Sequence, residues 1–90
     1  MKTLKKAAQA GTVESADILI TVAPAESGAG IQVNLKSPTL KQYGRKMIAL
    51  IEASVKAQGV EDAVIDATDK GALDYTIEAR TKTAVLRALN

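Results

Sequence analysis

The repeat of apolar residues changes its period at one point in the chain, and this change constrains the fold more than any other feature. Residues 31–36, IQVNLK, alternate strictly between apolar and polar side chains, as in a strand with one buried face. Across residues 40–55 the apolar residues instead recur at the three- and four-residue steps of one helical face. Ser37-Pro38 lies between the two patterns and is a typical helix start, because serine can cap free N–H groups and proline fits the first helical position. The sequence therefore predicts a strand followed at once by an amphipathic helix that ends near Gly59.

Two further segments have the composition of strands. Residues 18–23, ILITVA, are rich in β-branched residues and end at Pro24, and residues 60–68, VEDAVIDAT, predict a third strand. The intervening residues 25–30, AESGAG, have the composition of a turn. We therefore expect residues 18–23 and 31–36 to form an antiparallel hairpin.

The C-terminal part of the chain is open to two interpretations after a tight turn at Asp69-Lys70-Gly71. Residues 75–80 alternate like a strand, whereas the longer window places its apolar residues on one helical face. That face consists of Leu73, Ile77, Ala84, Val85 and Ala88. We favour the helix, because acidic residues lie early in it and Arg87 lies late, as the helix dipole prefers.

The predicted fold is α+β: a single small domain in the order β-β-α-β-α, with an antiparallel hairpin and a third strand packed against two helices. Residues 1–10 are predicted to form a basic, flexible segment of coil or loose helical turn ahead of a domain over residues 11–90. The net charge of +2 originates in this segment, at Lys2, Lys5 and Lys6, and the remainder of the chain is nearly neutral. No apolar run is long enough for a signal sequence or a membrane span, and the absence of cysteine fits a cytoplasmic protein.

The composition excludes several kinds of catalysis. The chain has no cysteine and no histidine, so it has no thiol nucleophile, no imidazole base and none of the usual zinc ligands. The acidic residues alternate with apolar ones, which is typical of a solvated surface rather than of a metal or glycosidase site. Six of the ten acidic residues form two local groups: Glu61, Asp62, Asp66 and Asp69, and separately Glu14 and Asp17. Gly28-Ala29-Gly30 is interpreted as a turn, because it lacks the third glycine and the following helix of a dinucleotide-binding loop.

The segment from Gly11 to Asp17, GTVESAD, has two interpretations. Ser15 could be an ordinary turn residue whose hydroxyl bonds to nearby backbone. It could also present an exposed hydroxyl for covalent modification, with Glu14 and Asp17 beside it for recognition by a modifying or partner enzyme. Spacing alone does not choose between these interpretations.

Three stretches together resemble the acyl carrier protein (gamma) subunit of citrate lyase. They are AGTVESADILITVAP at residues 10–24, KQYG at the start of the first helix and DKGALD at residues 69–74. The similarity runs in order from about Gly11 to Leu89. In that family the serine of an E-S-G-D motif carries the prosthetic group, and the matching residue here is Ser15. Ala16 stands where the family commonly has glycine, so the backbone of this turn is less permissive.

The resemblance implies a non-catalytic carrier subunit whose acyl carrier domain spans residues 11–90. Ser15 would be joined by a phosphodiester to phosphoribosyl-dephospho-coenzyme A, whose thiol holds acetyl or citryl as a thioester while citrate is cleaved to acetate and oxaloacetate. The implied partners are the alpha (acyl transferase) and beta (citryl lyase) subunits and a prosthetic-group transferase. The resemblance implies no catalytic residue, no metal, no nucleic acid and no membrane partner.

Two alternatives remain open at this stage. The carrier subunit of malonate decarboxylase is a related family with a similar arm on a similar serine, but VESAD and DKGALD are closer to the citrate lyase pattern. The alternative from another class is a small interaction module whose basic helices bind RNA or an acidic partner. Its cations would be Lys41, Arg45 and Lys46 on the first helix and Arg80, Lys82 and Arg87 on the second.

Overall fold

The computed structural model describes residues 2–90 and contains four strands and two helices. The elements are β1 (Ala8–Ala10), β2 (Ile18–Pro24), β3 (Ile31–Lys36), α1 (Leu40–Ala57), β4 (Ala63–Asp69) and α2 (Asp74–Leu89). From β2 to α2 they follow the predicted order β-β-α-β-α, and the short strand β1 precedes them. The α+β class is therefore confirmed.

The four strands form one sheet in the order β1-β2-β4-β3. β2 pairs antiparallel with both β1 and β4, whereas β3 pairs parallel with β4. The prediction of an antiparallel hairpin between β2 and β3 is therefore wrong, because β4 lies between them. The physical reason is burial: Ala63, Ile65 and Ala67 of β4 are buried, and a strand of this kind is best placed with a neighbour on each side. The alternate residues of β3 are exposed and polar, and such a strand tolerates the edge of a sheet.

The N-terminal segment is part of the folded domain. Ala8–Ala10 pairs with β2, and the side chains of Leu4 and Ala10 are buried in the core. The backbone N–H of Lys5 also donates to the carbonyl of Ala88 near the end of α2, at 2.9 Å. The prediction of coil or loose helical turn is thus wrong for β1, and a boundary after residue 10 would cut through packed structure. Short polar sequences give little local signal for a strand whose partner lies ten or more residues away.

Helix α1 packs its middle and end against the sheet and leaves its first turn exposed. Met47, Ile51 and Val55 are buried, as their spacing predicts, but Leu40 and Tyr43 of the same face are 44% and 54% exposed. The predicted apolar face therefore extends beyond the core that covers it.

The start of α1 lies two residues later than predicted. The helix begins at Leu40 with Thr39 as its N-cap residue, and no side chain caps it. Ser37 instead closes a turn before the helix, accepting from the N–H of Thr39 at 3.2 Å and donating its hydroxyl to Asp69 Oδ2 at 2.8 Å. The carboxylate of Asp69, which is almost fully buried, thus uses the serine that local sequence assigned to capping.

Helix α2 confirms the favoured interpretation of the C-terminal segment. Ile77, Ala84, Val85 and Ala88 of the predicted face are buried, together with Thr81, whose hydroxyl donates to the carbonyl of Ile77 at 2.8 Å. The helix packs against β1, β2 and α1, and α1 packs against β3, so both helices contribute to one core on one face of the sheet. Neither of the helices within residues 2–90 has the length and apolarity needed to cross a membrane.

Candidate functional site

The loop between β1 and β2, residues 11–17, presents the serine singled out by the sequence; we call it the serine loop. The N–H of Asp17 donates to the carbonyl of Glu14 at 3.1 Å, which closes a four-residue turn with Ser15 and Ala16 at its centre. Ala16 has a φ of 67°, the only positive φ of a non-glycine residue in the described chain. A positive φ at the second central position is the mark of a type II turn, where glycine is preferred. Ser15, at the first central position of this turn, is exposed.

Side chains within the serine loop hold this turn. The hydroxyl of Thr12 donates to Asp17 Oδ2 at 2.9 Å and accepts from the N–H of Glu14 at 3.1 Å. The other carboxylate oxygen of Asp17 accepts from the N–H of Ile18 at 2.7 Å. One carboxylate therefore joins the start of the loop to the first residue of β2.

Helix α2 holds the same carboxylate from outside the loop. Arg80 Nε donates to Asp17 Oδ1 at 3.1 Å, and the Asp17 side chain is only 15% exposed. This bond to the guanidinium, with further bonds from the Ile18 N–H and the Thr12 hydroxyl, lowers the pKa of Asp17 from 3.8 to about 2. Asp17 thus remains ionised over the whole physiological range.

The backbone ties the serine loop to the end of β4 and allows no side chain at its start. The N–H of Ala16 donates to the carbonyl of Lys70, and the N–H of Lys70 donates to the carbonyl of Asp17, both at 2.9 Å. Gly11 has a φ of 90°, and a Cβ at this position would collide with the carbonyl oxygen of Ile18. Glycine is therefore required where the chain enters the loop.

Ser15 is left exposed, and its side chain makes no contact that holds the loop. Among residues 2–90 no hydrogen bond involves its hydroxyl, and the backbone-bonding role expected of a turn serine is filled by Thr12. Glu14 is also exposed, whereas the carboxylate of Asp17 is occupied by its own loop and by Arg80. The structure thus brings the three predicted site residues together but gives Asp17 contacts within the chain. A role of Glu14 and Asp17 in recognition by an enzyme stays a prediction.

Three of the four acidic residues in the larger predicted group make hydrogen bonds within the fold. Asp62 accepts from the N–H of Gly30 at 2.8 Å, and Asp66 accepts from the side chain of Asn34 at 3.3 Å. Asp69 is buried and bonded to Ser37, so the interpretation of a fully solvated acidic surface is wrong at this residue. Within the described part of the chain, no three acidic side chains lie where they could hold a metal ion together.

Several of the cations that could form a basic stripe have partners within the chain. Lys46 Nζ lies 3.2 Å from Asp74 Oδ2, and Arg80 pairs with Asp17. Arg87 donates to the carbonyl of Gln9 in β1 at 2.8 Å. Three of the six cations named in the sequence therefore already have partners within the chain, which weakens the case for a basic surface that binds RNA or an acidic protein.

A family model described as ACP, malonate decarboxylase delta subunit (MdcD), matches residues 5–88. The chain is 52% identical over 85 residues to the citrate lyase acyl carrier protein of Lacticaseibacillus casei, which covers 94% of this chain and 82% of that protein. The chain belongs to this family of acyl carrier proteins. The citrate lyase acyl carrier protein of Halothermothrix orenii is 48% identical over 94% of this chain and 88% of its own length. That of Streptococcus mutans is 49% identical over 94% of this chain and 82% of its own length.

The fold of this carrier family member also matches a solved structure. A chain in the crystal structure of a Pseudomonas malonate decarboxylase hetero-tetramer in complex with malonate superimposes with a TM-score of 0.74. The match covers 97% of this chain and 88% of that chain at 22% sequence identity. At this identity the likeness shows a common fold.

The sequence did not predict the roles of two residues that hold the serine loop. Arg80 was grouped with surface cations because it lies 63 residues from its partner Asp17, and no local pattern links them. Thr12 lies inside the recognised segment, and its place two residues before Glu14 is compatible with a turn-forming hydroxyl. Of the two residues, only Thr12 has a spacing in the sequence that indicates its role in the turn.

Proposed function

We propose that this chain is the acyl carrier subunit of a citrate lyase and that Ser15 is the attachment point of its prosthetic group. The observation that carries the proposal is the exposed Ser15 hydroxyl, left without a partner at the centre of a turn that the side chains of Thr12 and Asp17 hold. Relatives named citrate lyase acyl carrier protein at about half identity support the reaction assigned to it.

The site fits a large covalent group. Ser15 and its neighbours Val13 and Glu14 are exposed. A modifying enzyme can therefore reach the hydroxyl, and the neighbouring residues leave room for a bulky substituent. We propose phosphoribosyl-dephospho-coenzyme A as this group, linked through a phosphodiester. When attached, it supplies the thiol that the chain lacks and carries acetyl or citryl as a thioester.

The chain's own residues position the hydroxyl and perform no catalysis in this proposal. Thr12, Asp17 and Arg80 hold the turn from within the loop and from α2, while Gly11 fixes the direction of entry. A rigid attachment point limits the volume that the arm samples and raises its effective concentration at the partner active sites. The partners proposed are the alpha and beta subunits of citrate lyase and a prosthetic-group transferase that recognises Glu14 and the turn. We propose the cytoplasm as the location of this complex.

Intact-protein mass spectrometry tests the attachment. Protein from a host that contains the maturation enzymes is expected to be heavier than the polypeptide by one nucleotide-containing arm, and Ser15→Ala is expected to abolish the gain. Ser27→Ala is a matched control, because Ser27 is an exposed serine in the other turn of the chain. A mass gain that survives Ser15→Ala, or an unmodified wild-type protein that retains nucleic acid, would contradict the proposal.

A carrier subunit of malonate decarboxylase is the second candidate. It is favoured by the description of the matching family and by the fold of the Pseudomonas complex. The two candidates are separated by mixing the loaded carrier with the partner subunits of each enzyme and measuring cleavage of citrate or decarboxylation of malonate. We expect turnover of citrate with citrate lyase subunits, and turnover of malonate alone would select the second candidate.

A further inference from the structure

The only aromatic side chains of the protein lie in one surface groove. The chain contains two tyrosines and no phenylalanine or tryptophan. Tyr43 in α1 and Tyr75 in α2 line the same groove, although they are 32 residues apart in sequence, and they are 54% and 70% exposed. An isolated domain gains nothing from exposing its largest apolar side chains together, so this concentration indicates a binding surface.

The groove has the size and lining of a site for a small organic group. Its volume is about 550 Å³, within the usual range for ligand sites. Met47 and Ile77 are buried beneath it, and Leu73, 59% exposed, stands at its margin with the two tyrosines. The carboxylate of Asp69 also borders the groove. It already accepts hydrogen bonds from the Ser37 hydroxyl and the N–H of Ala72, so it needs no partner from a bound group.

The groove borders the segment to which the serine loop is hydrogen-bonded. Gly71 lines the groove, and its neighbour Lys70 is joined to Ala16 and Asp17 by two backbone hydrogen bonds. The turn that carries Ser15 is therefore hydrogen-bonded to the residue next to the edge of the groove. A group attached to Ser15 would find this groove as the adjoining apolar surface.

The rim supplies the one charge that such a group would use. Lys46 lines the groove and pairs with Asp74 at 3.2 Å, but both side chains are more than half exposed. An exposed pair of this kind is weak, so the ammonium group can exchange partners for a phosphate. Aromatic faces beside a cation suit a nucleobase joined to phosphate, since stacking needs only a π-face and the phosphate needs a positive charge.

We propose that this groove holds the adenosine portion of the arm on Ser15, with its base against Tyr43 and Tyr75, so that the arm rests on its own carrier between visits to partner subunits. The inference rests on the proposed function. Adenosine is favoured over the acyl end because in this arm it lies nearer to the serine, while the thiol lies at the far end.

Nuclear magnetic resonance of the unmodified and the arm-bearing protein tests the groove. Mass spectrometry first establishes that the arm is attached. The ring resonances of Tyr43 and Tyr75 are then expected to shift upfield on modification, as ring currents from a stacked base require, and the adenine protons are expected to shift upfield relative to the free arm. Tyr43→Leu combined with Tyr75→Leu is expected to return the adenine protons to their free positions while the mass gain at Ser15 persists.

Leu86→Ala provides the matched control, because Leu86 is an exposed apolar residue of α2 that does not line the groove. This variant is expected to keep the adenine shifts. An arm-bearing protein with unmoved tyrosine resonances would overturn the inference and leave the proposed function intact. Tyrosine resonances that move only when a partner subunit is added would also overturn it, and would assign the groove to protein docking. Absence of any mass gain would overturn the proposed function and, with it, this inference.

Discussion

At the scale of single residues, the positive φ of Ala16 explains a preference in the carrier family. The turn from Glu14 to Asp17 needs a left-handed residue directly after the serine. Glycine adopts this conformation without cost, and alanine adopts it against a steric penalty. The turn therefore favours the glycine of the E-S-G-D motif, and here alanine adopts the same conformation.

Replacing Ala16 with glycine should stabilise the protein. We expect Ala16→Gly to raise the free energy of unfolding by roughly 0.5–1 kcal/mol, because relief of the left-handed strain outweighs the greater freedom of glycine in the unfolded chain. Ala53→Gly, at an exposed position in α1, should lower it by about 1 kcal/mol. Urea denaturation measures both, and a loss of stability in both variants would show that Ala16 is not strained.

The lowered pKa of Asp17 predicts a specific acid sensitivity. Because the folded-state pKa of about 2 lies below the ordinary 3.8, the folded protein binds fewer protons in this range. The stabilisation is therefore complete above pH 3.8 and is lost as the pH falls towards 2. Urea midpoints measured across this window should fall less steeply in Asp17→Asn than in the wild type, although the variant is less stable at neutral pH.

Glu14→Gln serves as the control for this titration. Glu14 lies in the same loop with its carboxylate exposed, and its side chain makes no hydrogen bond within residues 2–90. This variant should keep the acid-dependent loss of the wild type. An identical pH dependence in wild type and Asp17→Asn would show that the Arg80 contact does not stabilise the fold in solution.

At the scale of elements, the site depends on the short strand β1. The serine loop is anchored at one end by β1 and at the other by β2, and Arg80 reaches it from α2. The segment before β1 contributes Leu4 to the core that the same helix covers. An N-terminal segment that looks like a solvated basic tail in sequence thus supports the loop that presents Ser15.

Truncating Leu4 tests this role. Leu4 is 4% exposed, so Leu4→Ala should lower the free energy of unfolding by about 2–5 kcal/mol through lost burial and the cavity left behind. The total free energy of unfolding of a domain of this size is roughly 5–13 kcal/mol, so this loss is a large part of it. Lys6→Ala, at an exposed position in the same segment, should change it by less than about 0.5 kcal/mol. Thermal and urea denaturation measure both variants. If Leu4→Ala lowered the free energy of unfolding as little as Lys6→Ala does, the segment would be flexible and not part of the core.

At the scale of the whole molecule, charge distinguishes between possible arms. The polypeptide has a formal charge of +2. Phosphoribosyl-dephospho-coenzyme A adds about three negative charges through its phosphodiester and pyrophosphate, whereas a phosphopantetheine arm adds about one. The modified protein should therefore carry about −1 with the first arm and about +1 with the second.

Native isoelectric focusing of modified and unmodified protein measures this difference. We expect the modified protein to focus below neutral pH and the Ser15→Ala variant to focus with the unmodified protein. A small acidic displacement that leaves the modified protein basic would favour the phosphopantetheine arm and contradict the assignment of the larger one.

The sequence by itself determined the elements that depend on local periodicity. The six-residue alternation of β3, the helical spacing of α1 and the apolar face of α2 each lie within one segment, so their pattern was sufficient. The role of Ser15 and its acidic neighbours comes from the family resemblance of the adjacent residues, and it stays a prediction.

Only the tertiary structure decided the strand order, the membership of β1 and the groove of Tyr43 and Tyr75. Each depends on competition between distant segments for the same core: β4 displaces β3 from β2 because it is buried more fully, and Arg80 reaches Asp17 only once α2 has packed. Local periodicity describes which face of a segment is apolar, but it does not specify which other segment will cover that face. That choice is made by the total burial of the folded chain, and here it also leaves two aromatic rings exposed in one surface groove.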